Sequence, residues 1–152
     1  MLSILLQVRN KLNFKSQSII GCKKGHIILW SGSTGKQIGS VLKGHSSFIT
    51  GISWEPLHIN GQARRFVSSS KDTRLIIWDA LTRQKLITLS NHMKSVTCCL
   101  WGGQGLIYSG SQDRTIGVWR PDGVYCRGLK ESRVILIILK STLMYILYIL
   151  CV

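Results

Sequence analysis

The sequence predicts an all-β protein made of repeated four-stranded sheets, the blades of a β-propeller. Three observations carry that expectation. One set of residues occurs twice in the same order: Gly44-His45, Ser68-Ser69-Ser70-Lys71-Asp72 and Trp78-Asp79, then Asn91-His92, Ser109-Gly110-Ser111-Gln112-Asp113 and Trp119-Arg120. The paired aspartates and the paired tryptophans are each 41 residues apart and the histidines 47, and a period of about 40–45 residues holding four short strands is that of propeller blades. The stretches between these markers read as four strands that recur in register.

In the first full copy, residues 48–54 (Phe48-Ile49-Thr50-Gly51-Ile52-Ser53-Trp54) alternate as a half-buried strand a, closed by Glu55-Pro56, where proline ends ladder hydrogen bonding. After a loop with Asn60-Gly61, residues 65–70 read as strand b, a tight turn follows over 71–74, and Leu75-Ile76-Ile77-Trp78 reads as strand c. Residues 85–89 give strand d. The next copy supplies 95–101, 105–111, 115–119 and 124–129 in the same order.

Upstream, residues 18–22 and 26–30 look like strands b and c of an earlier blade, with 37–42 as its strand d and no strand a. The expected organisation is therefore a leader outside the repeat (1–17), a partial blade (18–43), two repeats (44–90 and 91–130) and a hydrophobic tail outside the repeat (131–152). That makes about two and a half blades, whereas propellers close with roughly four to eight. The sequence is expected to be a fragment, or to find its missing blades elsewhere. The tail has two readings: a bilayer segment interrupted by Lys140-Ser141-Thr142, or translation past a missed exon junction into sequence without a folding role. The second is favoured, because the period stops where the next blade is due.

Across all 152 residues there are 20 Lys+Arg against 6 Asp+Glu, a formal charge of +14, and 45% of residues are hydrophobic. That balance excludes disorder throughout and favours an anionic partner, either nucleic acid or an acidic protein surface. Lys43, Arg64, Arg65, Lys94 and Arg114 are the candidate contacts to such a partner, with rRNA among the candidates. The five cysteines are odd in number and lack C-x-x-C spacing, so neither a disulfide framework nor a zinc knuckle is expected, and an intracellular address with reduced thiols is the default.

The recurring polar residues have a structural explanation. A histidine beside the b–c turn can donate one ring N–H to the turn aspartate and bond through its other nitrogen to a strand-b hydroxyl, while the strand-c indole N–H closes the chain of bonds. The expected sets are His45, Ser68, Asp72 and Trp78, and His92, Ser109, Asp113 and Trp119. Ser, His and Asp also invite a catalytic-triad reading. Repetition at the blade period argues against it, because one active site needs one constellation. No catalytic residue, metal ligand or cofactor site is expected: His26 and His58 stand alone, and Gly32-Ser33-Thr34-Gly35-Lys36 has Gln37 where a phosphate loop needs a hydroxyl and reads as a c–d turn. Trp54 and Trp101, at matching strand ends, are expected to pack between blades rather than stack on bases.

Taken together, the Gly-His, Ser-x-Ser-x-Asp and Trp-Asp markers resemble the WD40 family of propeller scaffolds. The match is tolerant of Trp30-Ser31 and Trp119-Arg120 in place of Trp-Asp and of Asn91 in place of glycine. More narrowly, Leu42 to His45, Phe48 to Pro56, Arg64 to Asp72, Trp101-Gly102-Gly103 and Ile107 to Asp113 resemble WD40 proteins of large (60S) ribosomal subunit assembly. That resemblance implies a non-catalytic scaffold in the nucleus and nucleolus, docked on the pre-60S particle and its assembly factors. It also implies a ubiquitin-like domain that engages a Midasin-type ATPase. No such domain is visible in the sequence, so that contact is not expected of this chain. The alternatives are a basic RNA-binding or other WD40 adaptor module and a tail-anchored membrane adaptor.

Overall fold

The computed structural model describes residues 4–8, 17–61, 64–130, 135–140 and 145–150; side chains are described for 17–61 and 64–128. It is all-β, with thirteen antiparallel strands among the described residues. The first sheet holds β1 (Ile4–Val8), β2 (Gln17–Gly21) and β3 (Ile27–Ser31) in sequential order. The second holds β4 (Ile49–Trp54), β5 (Arg65–Ser70), β6 (Arg74–Asp79) and β7 (Gln84–Ser90). The third repeats it with β8 (Val96–Trp101), β9 (Ile107–Ser111), β10 (Thr115–Trp119) and β11 (Tyr125–Lys130). We refer to these sheets as blades 1, 2 and 3.

Blade 2 is the sandwiched one, and its sequence says why. Along β5 and β6 burial is nearly continuous because both faces are covered, and β6 reads as the unbroken apolar run Leu75-Ile76-Ile77-Trp78 of a strand buried on two sides. Phe66, Ile76 and Trp78 pack with Ile19, Ile27 and Leu29 of blade 1. Val67, Leu75 and Ile77 face the other way and pack with Cys99, Trp101, Ile107 and Trp119 of blade 3. Burying one such side chain contributes about 1.5–3 kcal/mol, so the two layers bind the three sheets face to face. The outer strand β7 is mostly exposed, and there Gln84, Lys85, Leu86, Thr88 and Ser90 face solvent with only Leu89 fully buried.

Blades 2 and 3 share even their irregularities. The β4–β5 register shifts at Ile49/Gly51 and β8–β9 at Val96/Cys98, while β6–β7 shifts at Ile77/Trp78 and β10–β11 at Val118/Trp119. Bulges at equivalent places mean that the two repeats fold to one backbone plan.

Blade 1 differs from expectation in two ways. The strand a that the sequence pattern lacks is present: β1 pairs with β2 from Ile4↔Gly21 to Val8↔Gln17. Strand d, expected over 37–42, is reduced to two bridges, Trp30↔Gln37 and Ile27↔Leu42. Gly39 sits between them at φ 66, a left-handed conformation that interrupts a ladder. Elsewhere strand ends move by a residue or two, as at Arg74 and Asp79, which extend strand c beyond its apolar run.

Within the tail, β12 (Ile135–Lys140) and β13 (Tyr145–Leu150) form a separate two-stranded sheet. The bilayer reading of the tail needed a continuous apolar span; among the described residues no helix is long and apolar enough to cross a membrane.

Candidate functional site

The tight b–c turns place the polar sets. In blade 2 the three-residue loop 71–73 joins β5 to β6, with Thr73 in the left-handed region at φ 72; in blade 3 the loop 112–114 does the same with Arg114 at φ 66. A type I turn closed by one left-handed residue is a standard three-residue hairpin. It leaves the turn aspartate facing the histidine of the preceding loop.

Four side chains then form one directed relay. His45 Nδ1 lies 2.9 Å from Asp72 Oδ2, His45 Nε2 lies 2.8 Å from Ser68 Oγ, and Trp78 Nε1 donates to the same Oγ over 2.8 Å. With the imidazole neutral, Nδ1–H donates to the carboxylate and Nε2 accepts the serine hydroxyl, so every proton has one destination. Blade 3 repeats this: His92 lies 2.9 Å from Asp113 and 2.7 Å from Ser109, and Trp119 donates to Ser109 over 2.8 Å. Thr115, which the pattern did not single out, adds a hydroxyl beside both Asp113 and His92 Nδ1.

The electrostatics agree with that polarity. Burial pushes the His45 pKa below its ordinary value and outweighs the bond and charge of Asp72, so the neutral ring is favoured. Burial alone would raise Asp72, but the Ser46 amide, His45 and the Arg74 amide bring its carboxyl below the usual range. Asp113 likewise overcomes burial through Thr115, the Met93 amide and His92, and falls to about 2.

These are the distances of a serine-histidine-aspartate triad without its access. Ser68 and Ser109 are both 0% exposed, and each Oγ already receives an indole N–H. No substrate carbonyl can reach an oxygen enclosed in that way. What the arrangement does is lock strand b, strand c, the turn and the preceding loop to one another, at a cost of about 1–3 kcal/mol for each buried member left unpaired.

Blade 1 has the tryptophan without the relay. Trp30 occupies the place of Trp78, but Ile20 stands where the serine would be and Lys24 where the aspartate would be. Its Nε1 is buried without a partner, as are those of Trp54 and Trp101. Trp101 is 3% exposed in the layer between blades 2 and 3, and Trp54 packs against Phe66 between blades 1 and 2.

The five basic candidates separate. Lys43, Lys94 and Arg114 are exposed at the turns that carry the relays. Arg64 and Arg65 lie at the opposite end, and each is engaged with an acid of the chain. Arg64 Nε pairs with Asp79 Oδ2 at 3.0 Å. Arg65 grips Glu55 with Nε and Nη2, its guanidinium 5.4 Å from the Trp101 ring centre. The Glu55 bond raises Arg65 above its ordinary value, against the opposing effect of burial. Glu55, 2% exposed, also accepts from Asn60. It was missed in the sequence, where its one signal is the acid in Trp54-Glu55-Pro56 at a strand end.

Further polar contacts tie blade 2 to blade 3. Thr50 donates to the Val96 carbonyl at 2.7 Å, Ser53 Oγ accepts the Trp101 amide at 2.9 Å, and His58 Nε2 lies 2.7 Å from the Gly103 carbonyl. His58 is thus an inter-blade bond at an exposed loop, and His26 lies at the b–c turn of blade 1.

Stacked four-stranded antiparallel blades with a repeated His-Ser-Asp-Trp relay define a propeller-type repeat protein. The family model described as "WD domain, G-beta repeat" matches residues 35–79 and 83–120, more than half of the chain, and the chain belongs to the WD40 family. Each match begins ahead of a strand d and ends with the next blade's strand c, so a sequence repeat straddles two blades. Over 95 residues the chain is 44% identical to Protein Notchless of Drosophila melanogaster, covering 62% of this chain and 20% of that protein. It is 49% identical over 86 residues to the Notchless protein homolog of Arabidopsis thaliana, covering 57% and 18%. It is 30% identical over 111 residues to the Ribosome biogenesis protein WDR12 homolog of Drosophila erecta, covering 60% and 25%. Among solved structures, the RRP9 WD40 repeats align with a TM-score of 0.68 at 22% identity, over 85% of this chain and 42% of that one, a likeness of fold. The chain spans about a fifth of the length of the Notchless relatives.

Proposed function

We propose that this chain acts as a non-catalytic WD40 scaffold in assembly of the large (60S) ribosomal subunit, working in the nucleus and nucleolus. The observation that carries this is the 44% and 49% identity to two Notchless proteins over about three fifths of the chain. Similarity to a protein named for ribosome biogenesis supports the same setting. The enclosure of Ser68 and Ser109 supports a role without turnover.

In this reading the mechanism is presentation. Face-to-face blades hold their connecting loops rigid, and those loops meet the pre-60S particle and its assembly factors. A Midasin-type ATPase is left to the ubiquitin-like domain that the resemblance assigns it. Affinity purification of the full-length gene product from cells should recover large-subunit precursors, and recovery of unrelated cytosolic proteins alone would end the proposal.

A further inference from the structure

We infer that the end of the blades carrying the relays is an RNA-binding rim, formed by Lys23, Lys24, Lys43, Lys94 and Arg114, which holds the phosphate backbone. In an antiparallel blade, strand a starts and strand b stops at the same end. The b–c turns and the loops leading into each strand a therefore share one face of the molecule. Backbone bonds stitch them together: the Ile49 amide to the Cys22 carbonyl at 3.4 Å, Lys71 to Phe48 at 2.9 Å, and Gln112 to Ser95 at 3.0 Å.

Exposed cations lie at both ends of the described blades, Lys36, Arg83 and Lys85 among them at the end away from the relays, but the acids of the described residues differ by end. At the opposite end Glu55, Asp79 and Asp122 are paired with Arg65, Arg64 and Arg120. The rim has two carboxylates, Asp72 and Asp113, both enclosed by the relays, with side chains 3% and 9% exposed. Around them Lys23, Lys24, Lys43, Lys94 and Arg114 are exposed, and none pairs with a described carboxylate. Lys71 lies over the Phe48 ring and Arg74 reaches Asp72, so two more cations add to the field. In blade 1 the loss of the relay increases the effect, because Lys24 stands where blades 2 and 3 bury an acid.

Composition favours nucleic acid over an acidic protein. Protein interfaces are anchored by a core of large apolar and aromatic side chains. Of the exposed large hydrophobics among the described residues, Met93 alone lies in the rim segments; Ile59, Leu81, Leu86, Val124 and Tyr125 lie elsewhere. A surface rich in cations, poor in anchors and spread over three blades matches the polar, positive character of nucleic-acid interfaces. The inference deepens the assembly reading and takes its biological setting from it, but the binding rests on charge placement in this chain alone.

The test is fluorescence anisotropy of the full chain with a labelled single-stranded oligouridylate across a salt series. Each phosphate contact adds about 0.7 to the slope of log affinity against log salt. The triple variant Lys43→Gln, Lys94→Gln, Arg114→Gln should lower that slope by about 2 and weaken binding more than tenfold at low salt. Lys36→Gln, Arg83→Gln, Lys85→Gln removes equal charge from the opposite end and should leave binding nearly unchanged. The charge-keeping variant Lys43→Arg, Lys94→Arg, Arg114→Lys should bind as the parent does. Equal losses from both Gln triples, no loss from the rim triple, or loss in the charge-keeping variant would each overturn the inference. So would rim-dependent binding of polyglutamate as tight as that of RNA, which would make the rim a site for acidic protein. Only purified chain and oligonucleotide are used, so a failed recovery of ribosomal precursors leaves this result standing, and the reverse.

Discussion

Replacing Ser68 with alanine removes a single oxygen and leaves two buried neighbours without a partner. Ser68 is 0% exposed; its Oγ accepts from Trp78 Nε1 at 2.8 Å and lies 2.8 Å from His45 Nε2. Neither partner has a second bond for the atom released. At about 1–3 kcal/mol for each buried group left unpaired, the substitution should cost about 2–6 kcal/mol. Ser69, its neighbour on the other face, is the control. It is equally buried, but its main partner Thr50 keeps a bond to the Val96 carbonyl, so Ser69→Ala should cost about 0.5–1.5 kcal/mol. Urea unfolding followed by circular dichroism gives both values. Trp78→Phe closes a double-mutant cycle, and stays informative where Ser68→Ala alone fails to fold. Once Ser68 is gone the indole N–H has lost its acceptor, so removing it should cost less, with a coupling of about 0.5–3 kcal/mol. Equal costs for the two serines, or additivity within about 0.5 kcal/mol, would refute the relay as a cooperative unit.

Arg65→Ala should be far worse than Arg64→Ala: among the described residues it leaves the enclosed Glu55 carboxylate with the Asn60 amide, a loss of about 3–5 kcal/mol for a broken buried pair, whereas Asp79 keeps the Leu81 and Thr82 amides when Arg64 is removed. Thermal melts of the two variants decide it. On acidification the His45 ring, held below its ordinary 6.5 by burial, takes up a proton more readily in the unfolded chain. Stability should therefore be full above that pH and fall below it, then fall again below 3.8 as Asp72 and Asp113, both depressed in the fold, are protonated, with Asp113 holding out to about 2. A melting series against pH reads both steps, and His45→Gln should abolish the first. Thr73→Asn should raise the melting temperature, because a β-branched residue at φ 72 carries strain of about 1–2 kcal/mol that asparagine relieves.

The relay was legible because its chemistry forces a spacing. A serine on strand b and a tryptophan on strand c meet only when the turn between them is short, so Ser68 to Trp78 and Ser109 to Trp119 show the same interval. Blade 1 hid its strand a because β1 (Ile4–Val8) carries none of the turn residues that mark the other strands. Its strand d was overread, since the apolar alternation of 37–42 gives no sign that Gly39 would break the ladder. The basic candidates were chosen by charge alone. Which of them stay free depends on where carboxylates lie in space, and Glu55 is ten residues from Arg65 along the chain, with a loop between them.

The relays and the rim are connected through the same scarce residue type. With 6 acids against 20 Lys+Arg, each carboxylate that the fold encloses leaves surface cations without a counterion. Enclosing Asp72 and Asp113 needs donors on every side, which His45, His92 and the Ser46 and Met93 amides supply. The interior of the turn is thereby satisfied internally, and Lys43, Lys94 and Arg114 are left to solvent. Of the two, only Asp72 also meets an arginine among the described residues, the half-exposed Arg74 at 3.4 Å; had a lysine or arginine closed on Asp113 as well, its turn would be stable and electrically quiet. Replacing Asp113 with asparagine therefore acts on two properties at once: it weakens the turn through the lost carboxylate and raises the positive potential of the rim. Stability and RNA affinity should then move in opposite directions, and a variant that loses both would mean that the rim's field is not what holds phosphate.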